Sequence, residues 1–291
     1  MRTRALASLL LLLAWASPVS AQLLRDTGSV MLPPVFVGSP DGAFAVEANP
    51  AAIASLPAWQ LAFVHVGGPD VFEARDQGDA LFGAMPLPLG FGVGVGIERL
   101  PGIGPEGPVG RFSFAAAYGP TDRGSIGFAV RHLEGGALDG ATNVDVSMLL
   151  RPTSRFALSV VAHDVLGPTG LVGLHGQAIP ASFVGAVAVR PFGYDYLTVE
   201  ALGGIDTDRR GSVGGTMAVW VPYFGRVTGR VTGEDLGGDA DLRVVAGAEL
   251  AWGSIGALGG IVVGDGFGGS PGWYAGGTLG AASFDGLPVP R

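Results

Sequence analysis

Short segments in which apolar residues alternate with polar or small ones recur along most of this chain, and this pattern constrains the fold more than any other feature. In residues 226–232, arginine and threonine occupy one face of an extended chain and valine occupies the other. In residues 112–118, the aromatic residues share one face and small residues lie opposite. Alternation with a period of two is typical of β-strands with one apolar face. The pattern therefore predicts an all-β protein.

About fourteen such segments follow one another at even spacing, separated by turn residues. Each is about as long as a tilted strand needs to be to cross a bilayer, and an even number fits an antiparallel up-and-down barrel. We therefore predict a transmembrane antiparallel β-barrel over residues 58–284. Its strands are expected at 58–66, 79–86, 90–98, 110–118, 124–132, 143–151, 155–163, 181–189, 195–203, 211–220, 225–232, 241–250, 254–263 and 272–284.

The composition excludes two other classes of protein. The chain holds 51 glycines among 291 residues, yet 48% of its residues are hydrophobic, which is too many for a disordered chain. The mean hydropathy of +0.43 would suit a bundle of membrane helices. However, the longest uncharged run, 165–189, is broken by Pro168, Pro180 and several glycines, so it predicts no transmembrane helix.

The first 21 residues have the features of a secretory leader. Arg2 and Arg4 precede a leucine-rich run, and small residues lead to a predicted cleavage before Gln22. Removing the two arginines changes the net charge from −8 to about −10. Such an acidic chain, which has no lysine and no basic patch, is a poor partner for nucleic acid. With no cysteine, it forms no disulfide.

The predicted links between strands alternate in length. Links such as 87–89, 152–154 and 251–253 are short, whereas those at the opposite end are mostly longer, up to 164–180. In outer-membrane barrels the short turns are periplasmic, so we expect both chain ends there, including a tail at 285–291. Aromatic residues at the short turns are expected to form an interfacial girdle: Tyr118, Phe192, Tyr194, Tyr223, Phe224 and Trp252. A soluble periplasmic β-protein is the alternative fold.

Charged residues fall on the face opposite the apolar rows. Because an arginine that faces lipid at the bilayer midplane costs about 2–4 kcal/mol, we expect these charges to face the lumen. They could line a polar pore, or they could form ion pairs that hold a plug and prevent leakage. The expected lumen-facing charges are Glu98, Arg131, Asp145, Glu200, Arg226, Arg230, Arg243 and Glu249.

Residues 22–57, between the leader and the first predicted strand, lack strand character. They contain Asn49-Pro50-Ala51, where an extended Asn49 precedes a proline that can open a short helix. The position of this motif resembles the start of proteins of the FadL/TodX family, including PorV-like relatives. The resemblance implies that 22–57 form a hatch inside a barrel of fourteen strands, and that the barrel passes hydrophobic compounds.

The sequence therefore predicts an outer-membrane channel, passive and gated by the hatch, for small hydrophobic molecules. The alternative is a scaffold barrel that transports nothing and docks a secretion or envelope partner. We expect no enzyme, because the four histidines lack metal-ligand spacing. The Gly268–Gly272 stretch is a poor nucleophile elbow, because Pro271 after the serine has no N–H to donate. No cofactor is implied.

Overall fold

The computed structural model describes residues 32–38, 40, 42–68, 77–100, 108–121, 123–135, 139–165, 181–193, 196–207, 211–221, 224–234, 241–264 and 271–280. A short helix α1 (Ala45–Ala48) and a 3-10 helix (Pro50–Ser55) precede the strands, and a second, three-residue 3-10 helix (Pro88–Gly90) links the second strand to the third. The strands are β1 (Gln60–Gly67), β2 (Gly78–Pro86), β3 (Phe91–Leu100), β4 (Val109–Thr121), β5 (Gly124–Glu134), β6 (Thr142–Thr153), β7 (Phe156–His163), β8 (Ser182–Val189), β9 (Leu197–Asp206), β10 (Gly211–Val221), β11 (Gly225–Glu234), β12 (Asp241–Trp252), β13 (Ile255–Val263) and β14 (Gly272–Gly280).

The strands form one closed antiparallel barrel in which each strand pairs with its neighbours in the sequence. The barrel closes where β1 pairs with β14, with Gln60 opposite Gly280 and Gly67 opposite Trp273. Closure leaves no strand with a free edge, so the backbone groups of the sheet pair with one another. An all-β barrel of fourteen strands is therefore confirmed.

Alternate residues of each strand face opposite sides of the wall, as the sequence pattern predicts. On β4, Phe112 and Phe114 are exposed on the outside, whereas Arg111, Ser113 and Ala115 are buried on the inside. The same arrangement recurs around the barrel and gives it an apolar outer surface. A water-soluble protein rarely shows so large an apolar surface, whereas lipid would cover it without cost.

The predicted strand limits agree with the structure to within three residues, apart from the end of the last strand. Most differences are extensions toward the turns, because strand pairing continues further than the apolar pattern does. On β4, for example, pairing with β5 resumes at Thr121 after an irregularity that follows Tyr118. We predicted that the last strand extends to Phe284; β14 is described to Gly280, and residues 281–291 lie outside the described part.

The short turns gather at one end of the barrel, which we call the short-turn end. There β4 and β5, β6 and β7, and β12 and β13 are each joined by two residues. Four of the aromatic residues predicted for a girdle lie at this end with exposed side chains: Tyr118, Phe192, Phe224 and Trp252. The other two, Tyr194 and Tyr223, lie outside the described residues, as do the predicted leader at 1–21 and the tail.

No helix in the described ranges is long and apolar enough to span a membrane.

If lipid covers the exterior, a charge should cost more at mid-strand than at a strand end. Phe114→Arg, in the middle of β4, should destabilise the folded barrel by about 2–4 kcal/mol, and Thr121→Arg at the short-turn end by about 0–1 kcal/mol. Equilibrium unfolding by denaturant in lipid vesicles measures both. Equal effects at the two positions would mean that the exterior does not face hydrocarbon.

Candidate functional site

The N-terminal segment, which we define as residues 32–38, 40 and 42–56, lies inside the barrel. Asn49 is fully buried and joins two parts of this segment. Its side-chain oxygen accepts a hydrogen bond from the backbone N–H of Ala51 at 3.2 Å, which caps the 3-10 helix, and its amide nitrogen donates to the carbonyl of Val37 at 2.8 Å. Pro50 occupies the first turn of that helix, where its missing N–H costs nothing. The three motif residues thus shape the segment locally.

The barrel wall makes room for this segment with glycines. A Cβ on Gly92 would come within 2.8 Å of the backbone of Ile53, and one on Gly94 within 2.5 Å of the Val46 side chain. On β5, a Cβ on Gly127 would collide with the backbone of Ala51. The segment therefore packs against β3 and β5 as closely as a backbone can approach. Gly90, two residues before Gly92, does not contact the segment in this way. It lies in the turn before β3 with a φ of +79°.

Buried ion pairs connect the segment to the wall. Glu47 of α1 accepts hydrogen bonds from Arg111 on β4 at 2.7 Å and from Arg131 on β5 at 3.2 Å. Arg111 also pairs with Glu98 on β3 at 2.8 Å, and Arg131 pairs with Asp145 on β6. All of these side chains are almost completely buried. Opposite charges alternate through the cluster, so that each charged group faces at least one counter-charge.

The cluster continues to the end of β7. Asp145 contacts His163 Nδ1 at 2.6 Å and accepts a hydrogen bond from the backbone N–H of Asp164 at 3.1 Å. We use the term Glu47 cluster for Glu47, Glu98, Arg111, Arg131, Asp145 and His163. It links five consecutive strands to one carboxylate of the N-terminal segment. Because breaking one partner of such a buried network leaves an uncompensated charge, the loss of Glu47 should cost about 3–5 kcal/mol.

A second set of polar contacts holds the other end of the segment. Glu200 on β9 accepts hydrogen bonds from the backbone N–H groups of Val37, at 3.1 Å, and Gly38. Arg230 on β11 donates to the carbonyl of Val35 at 2.9 Å and to Thr216 at 3.3 Å. These bonds satisfy backbone groups that have no regular secondary structure to pair them.

Two further contacts complete the attachment. Gln60, at the start of β1, accepts a hydrogen bond from the backbone N–H of Ala43 at 2.6 Å. Ser147 on β6 accepts one from the backbone N–H of Ala51 at 2.8 Å. The segment is therefore tied to β1, β4, β5, β6, β9 and β11 by non-covalent bonds.

The structure places the eight predicted lumen charges on inward-facing positions. Glu98, Arg131 and Asp145 belong to the Glu47 cluster, and Glu200 and Arg230 bind the backbone of the segment. Arg226 and Glu249 form a separate pair at 2.9 Å near the short-turn end, where Thr278 also donates to Glu249 at 3.3 Å. Arg243 is half-buried toward the other end of β12.

Three members of the Glu47 cluster were not among the predicted charges: Glu47, Arg111 and His163. Arg111 could have been found, because it alternates with the outward Phe112 and Phe114 and must therefore face inward. Glu47 lies two residues before Asn49, but nothing in its local sequence marks its partners. Within the described residues, no group of three or more His, Asp or Glu side chains could hold a metal ion.

The sequence matches no protein-family model and no curated protein. Solved structures match by fold. The toluene transporter TodX of Pseudomonas putida is 10% identical, with a TM-score of 0.53 over 87% of this chain and 99% of that one. The toluene transporter TbuX of Ralstonia pickettii is 12% identical, with a TM-score of 0.52 over 86% and 97%. A TodX monoaromatic hydrocarbon channel with the deltaS2S3 mutation gives 0.55 at 10% identity, over 82% and 94%. At these identities the likeness concerns the fold.

The Glu47 carboxyl should make attachment of the segment sensitive to acid. Burial by itself would raise its pKa, but the charges of Arg111 and Arg131 outweigh burial and lower the pKa from 4.5 to about 2. A lowered pKa stabilises the seated segment above the pKa of the released one. That stabilisation, on the order of 3 kcal/mol, should be complete above pH 4.5 and lost as the pH falls toward 2.

Pepsin, which is active in this acid range, measures the effect by cleaving the segment once it is released. Cleavage of the wild-type protein should rise as the pH falls below 4.5, whereas Glu47→Gln should be cleaved already at the upper end of the range. Glu134→Gln, at an exposed position on β5, is the matched control and should behave like the wild type. If Glu47→Gln also follows the wild-type curve, the carboxylate does not hold the segment.

The close approach at Gly127 gives a test that involves no charge. Gly127→Ala should prevent the 3-10 helix from seating, because the added methyl group meets the backbone of Ala51 and has no flexible side chain to displace. Hydrogen exchange of residues 50–55 should then become faster. Gly185→Ala on β8 is the control, because its Cβ would have no heavy atom nearer than 3.9 Å. Unchanged protection in Gly127→Ala would contradict the packing.

Proposed function

We propose that this chain is an outer-membrane barrel through which small hydrophobic compounds cross passively, and that residues 22–57 act as its hatch. The leader at 1–21, cleaved before Gln22, would deliver the chain to the periplasm, from which it inserts into the outer membrane. The lipid of that membrane is then the partner of the apolar exterior. The fold shared with two toluene transporters and a monoaromatic hydrocarbon channel supports this choice of solute class.

The observation that carries the proposal is how the N-terminal segment is held. It lies across the lumen, yet every attachment described above is a hydrogen bond, an ion pair or a packing contact. Such contacts can break and reform without a covalent step, and a small rearrangement of the segment would open a path beside it. The Glu47 cluster and Glu200 would set how much free energy that rearrangement requires.

The proposed hatch is tested by removing it. Deleting residues 22–56 while keeping the leader should raise the single-channel conductance several-fold in planar bilayers, because the lumen would lose the segment that fills it. The Glu134→Gln variant, which keeps residues 22–56, is the control and should conduct like the wild type. The unboiled protein should still run faster than the boiled one on an SDS gel, which shows that the barrel is closed. Unchanged conductance in a barrel that passes this check would contradict the hatch.

The solute is tested in Gram-negative cells, whose lipopolysaccharide leaflet slows the entry of apolar molecules. Cells that express the wild-type protein should take up toluene faster than cells with an empty vector, and glucose uptake should not differ between them.

A scaffold barrel that docks a secretion or envelope partner is the second candidate. It is favoured by the modest length of the predicted links at the opposite end, of which 164–180 is the longest, because they leave little chain to form a surface site that captures solute. The two candidates predict opposite results in the uptake experiment. A scaffold would leave toluene entry at the level of the empty vector.

A further inference from the structure

The lumen of the barrel is packed unevenly around its circumference. On β3–β7 the inward rows are buried over most of their length, as at Ser113, Ala129 and Ser147. On β10–β13, in contrast, solvent reaches several inward side chains. The inward positions of β10–β13 that stay partly exposed are Ser212, Gly214, Trp220, Arg226, Arg243, Gly247, Ala251, Leu258 and Gly260. We use the term open strip for the inward face of β10–β13.

The position of the N-terminal segment explains this asymmetry. The 3-10 helix packs against β2–β6, with most of its contacts to β4 and β5, and α1 packs against β2–β4. Residues 35–38 of the segment reach the far wall, where they bind Glu200 and Arg230. Most of the bulk of the segment therefore lies on one side of the lumen, and the opposite side is left with more space.

The glycines on the two sides serve different purposes. On β3 and β5, Gly92 and Gly127 admit the backbone of the N-terminal segment. In the open strip, a Cβ on Gly247 would collide with the hydroxyl of Tyr274, and one on Gly256 would collide with that of Thr278. Here the glycines let side chains of the wall lie flat against the wall.

The open strip also has a distinct chemical character. Its apolar contacts come from Trp220 and Leu258 and from glycine backbone, which suit an uncharged apolar solute. Near the short-turn end it carries the Arg226–Glu249 pair, whose side chains remain 27% and 11% exposed. Because the Arg226 side chain remains partly exposed, this pair can interact with a passing solute, unlike the almost completely buried charges of the Glu47 cluster.

We propose that the solute path runs along the open strip, between the N-terminal segment and β10–β13, and passes the Arg226–Glu249 pair at the short-turn end. This inference rests on the proposed channel function and specifies its route. Trp220 and Leu258 flank the Arg226–Glu249 pair in one cross-strand row. A small apolar solute passes these two side chains, and the ion pair sets the charge preference of the exit. The wall formed by β3–β7 does not contact the solute, because the N-terminal segment covers its inward face.

The absence of cysteine from the sequence makes single-cysteine labelling a clean test. Leu258→Cys lies in the open strip. Leu149→Cys is the matched control, because it lies about as far from the short-turn end but is buried on β6, on the side of the barrel against which the N-terminal segment packs. A maleimide reagent should label the folded Leu258→Cys protein at least roughly tenfold faster, because a buried thiol reacts only after a local opening. Both variants must first run faster unboiled than boiled on an SDS gel, which shows that each forms a closed barrel. If Leu149→Cys fails this check, Ala129→Cys on β5 replaces it.

Labelling of Leu258→Cys with a bulky maleimide should then abolish most of the toluene uptake, and labelling of the control should not. Equal labelling rates, or uptake that survives full modification of the Leu258→Cys protein, would overturn the route. Failure of the proposed function would look different. In that case the unlabelled wild-type protein would carry no toluene although Leu258→Cys is still labelled faster than the control, which would mean that the strip is open but does not conduct this solute.

The ion pair is tested by the charge preference of the current. Glu249→Gln leaves Arg226 without this carboxylate in the path, so the reversal potential in a salt gradient should shift toward anions. Asp79→Asn removes the same charge from the half-exposed outer face of β2 and should leave the potential unchanged. A shift of equal size in both variants, or in neither, would contradict a path beside the pair.

Discussion

Backbone hydrogen bonding in apolar surroundings is the constraint on which the rest of this structure depends. A sheet with an apolar outer face must leave no N–H or C=O unpaired, and pairing β1 with β14 meets that requirement by removing the free edges. Closure in turn encloses a lumen that the strands alone do not fill. The inward rows, the glycines and the N-terminal segment can all be understood as consequences of that enclosed space.

The N-terminal segment occupies one side of the lumen and has very little regular structure, so its own polar groups need partners from the wall. Glu200, Arg230, Gln60 and Ser147 supply them to its backbone. The Glu47 cluster does the same for its one buried acid, and its cost in desolvation is offset only because each charge meets a counter-charge. The interior therefore combines an apolar core, in which Val46 and Ile53 of the segment pack with Phe82 of the wall, with specific polar attachments.

Local patterns determined more of the fold than of the site. Strand positions followed from alternation, because the face a residue occupies depends only on its immediate neighbours; Phe112 and Phe114 thereby fix the direction of Arg111. Contacts within the site depend instead on residues far apart in sequence. Arg131 and Glu47 are 84 positions apart, and no local feature pairs them. The inward charges were therefore recognisable as a group, while the division between the Glu47 cluster and the Arg226–Glu249 pair was not.

The sequence by itself determined a membrane-type β-barrel of fourteen strands, with an irregular stretch before the first strand that carries Asn49-Pro50-Ala51. It could do so because period-two alternation, turn residues and the exclusion of charge from an apolar face are all local. The tertiary structure alone decided on which side of the lumen the N-terminal segment lies. That choice depends on where glycines in β3 and β5 and the charges of β3–β6 come together, and strand register and barrel closure set those positions.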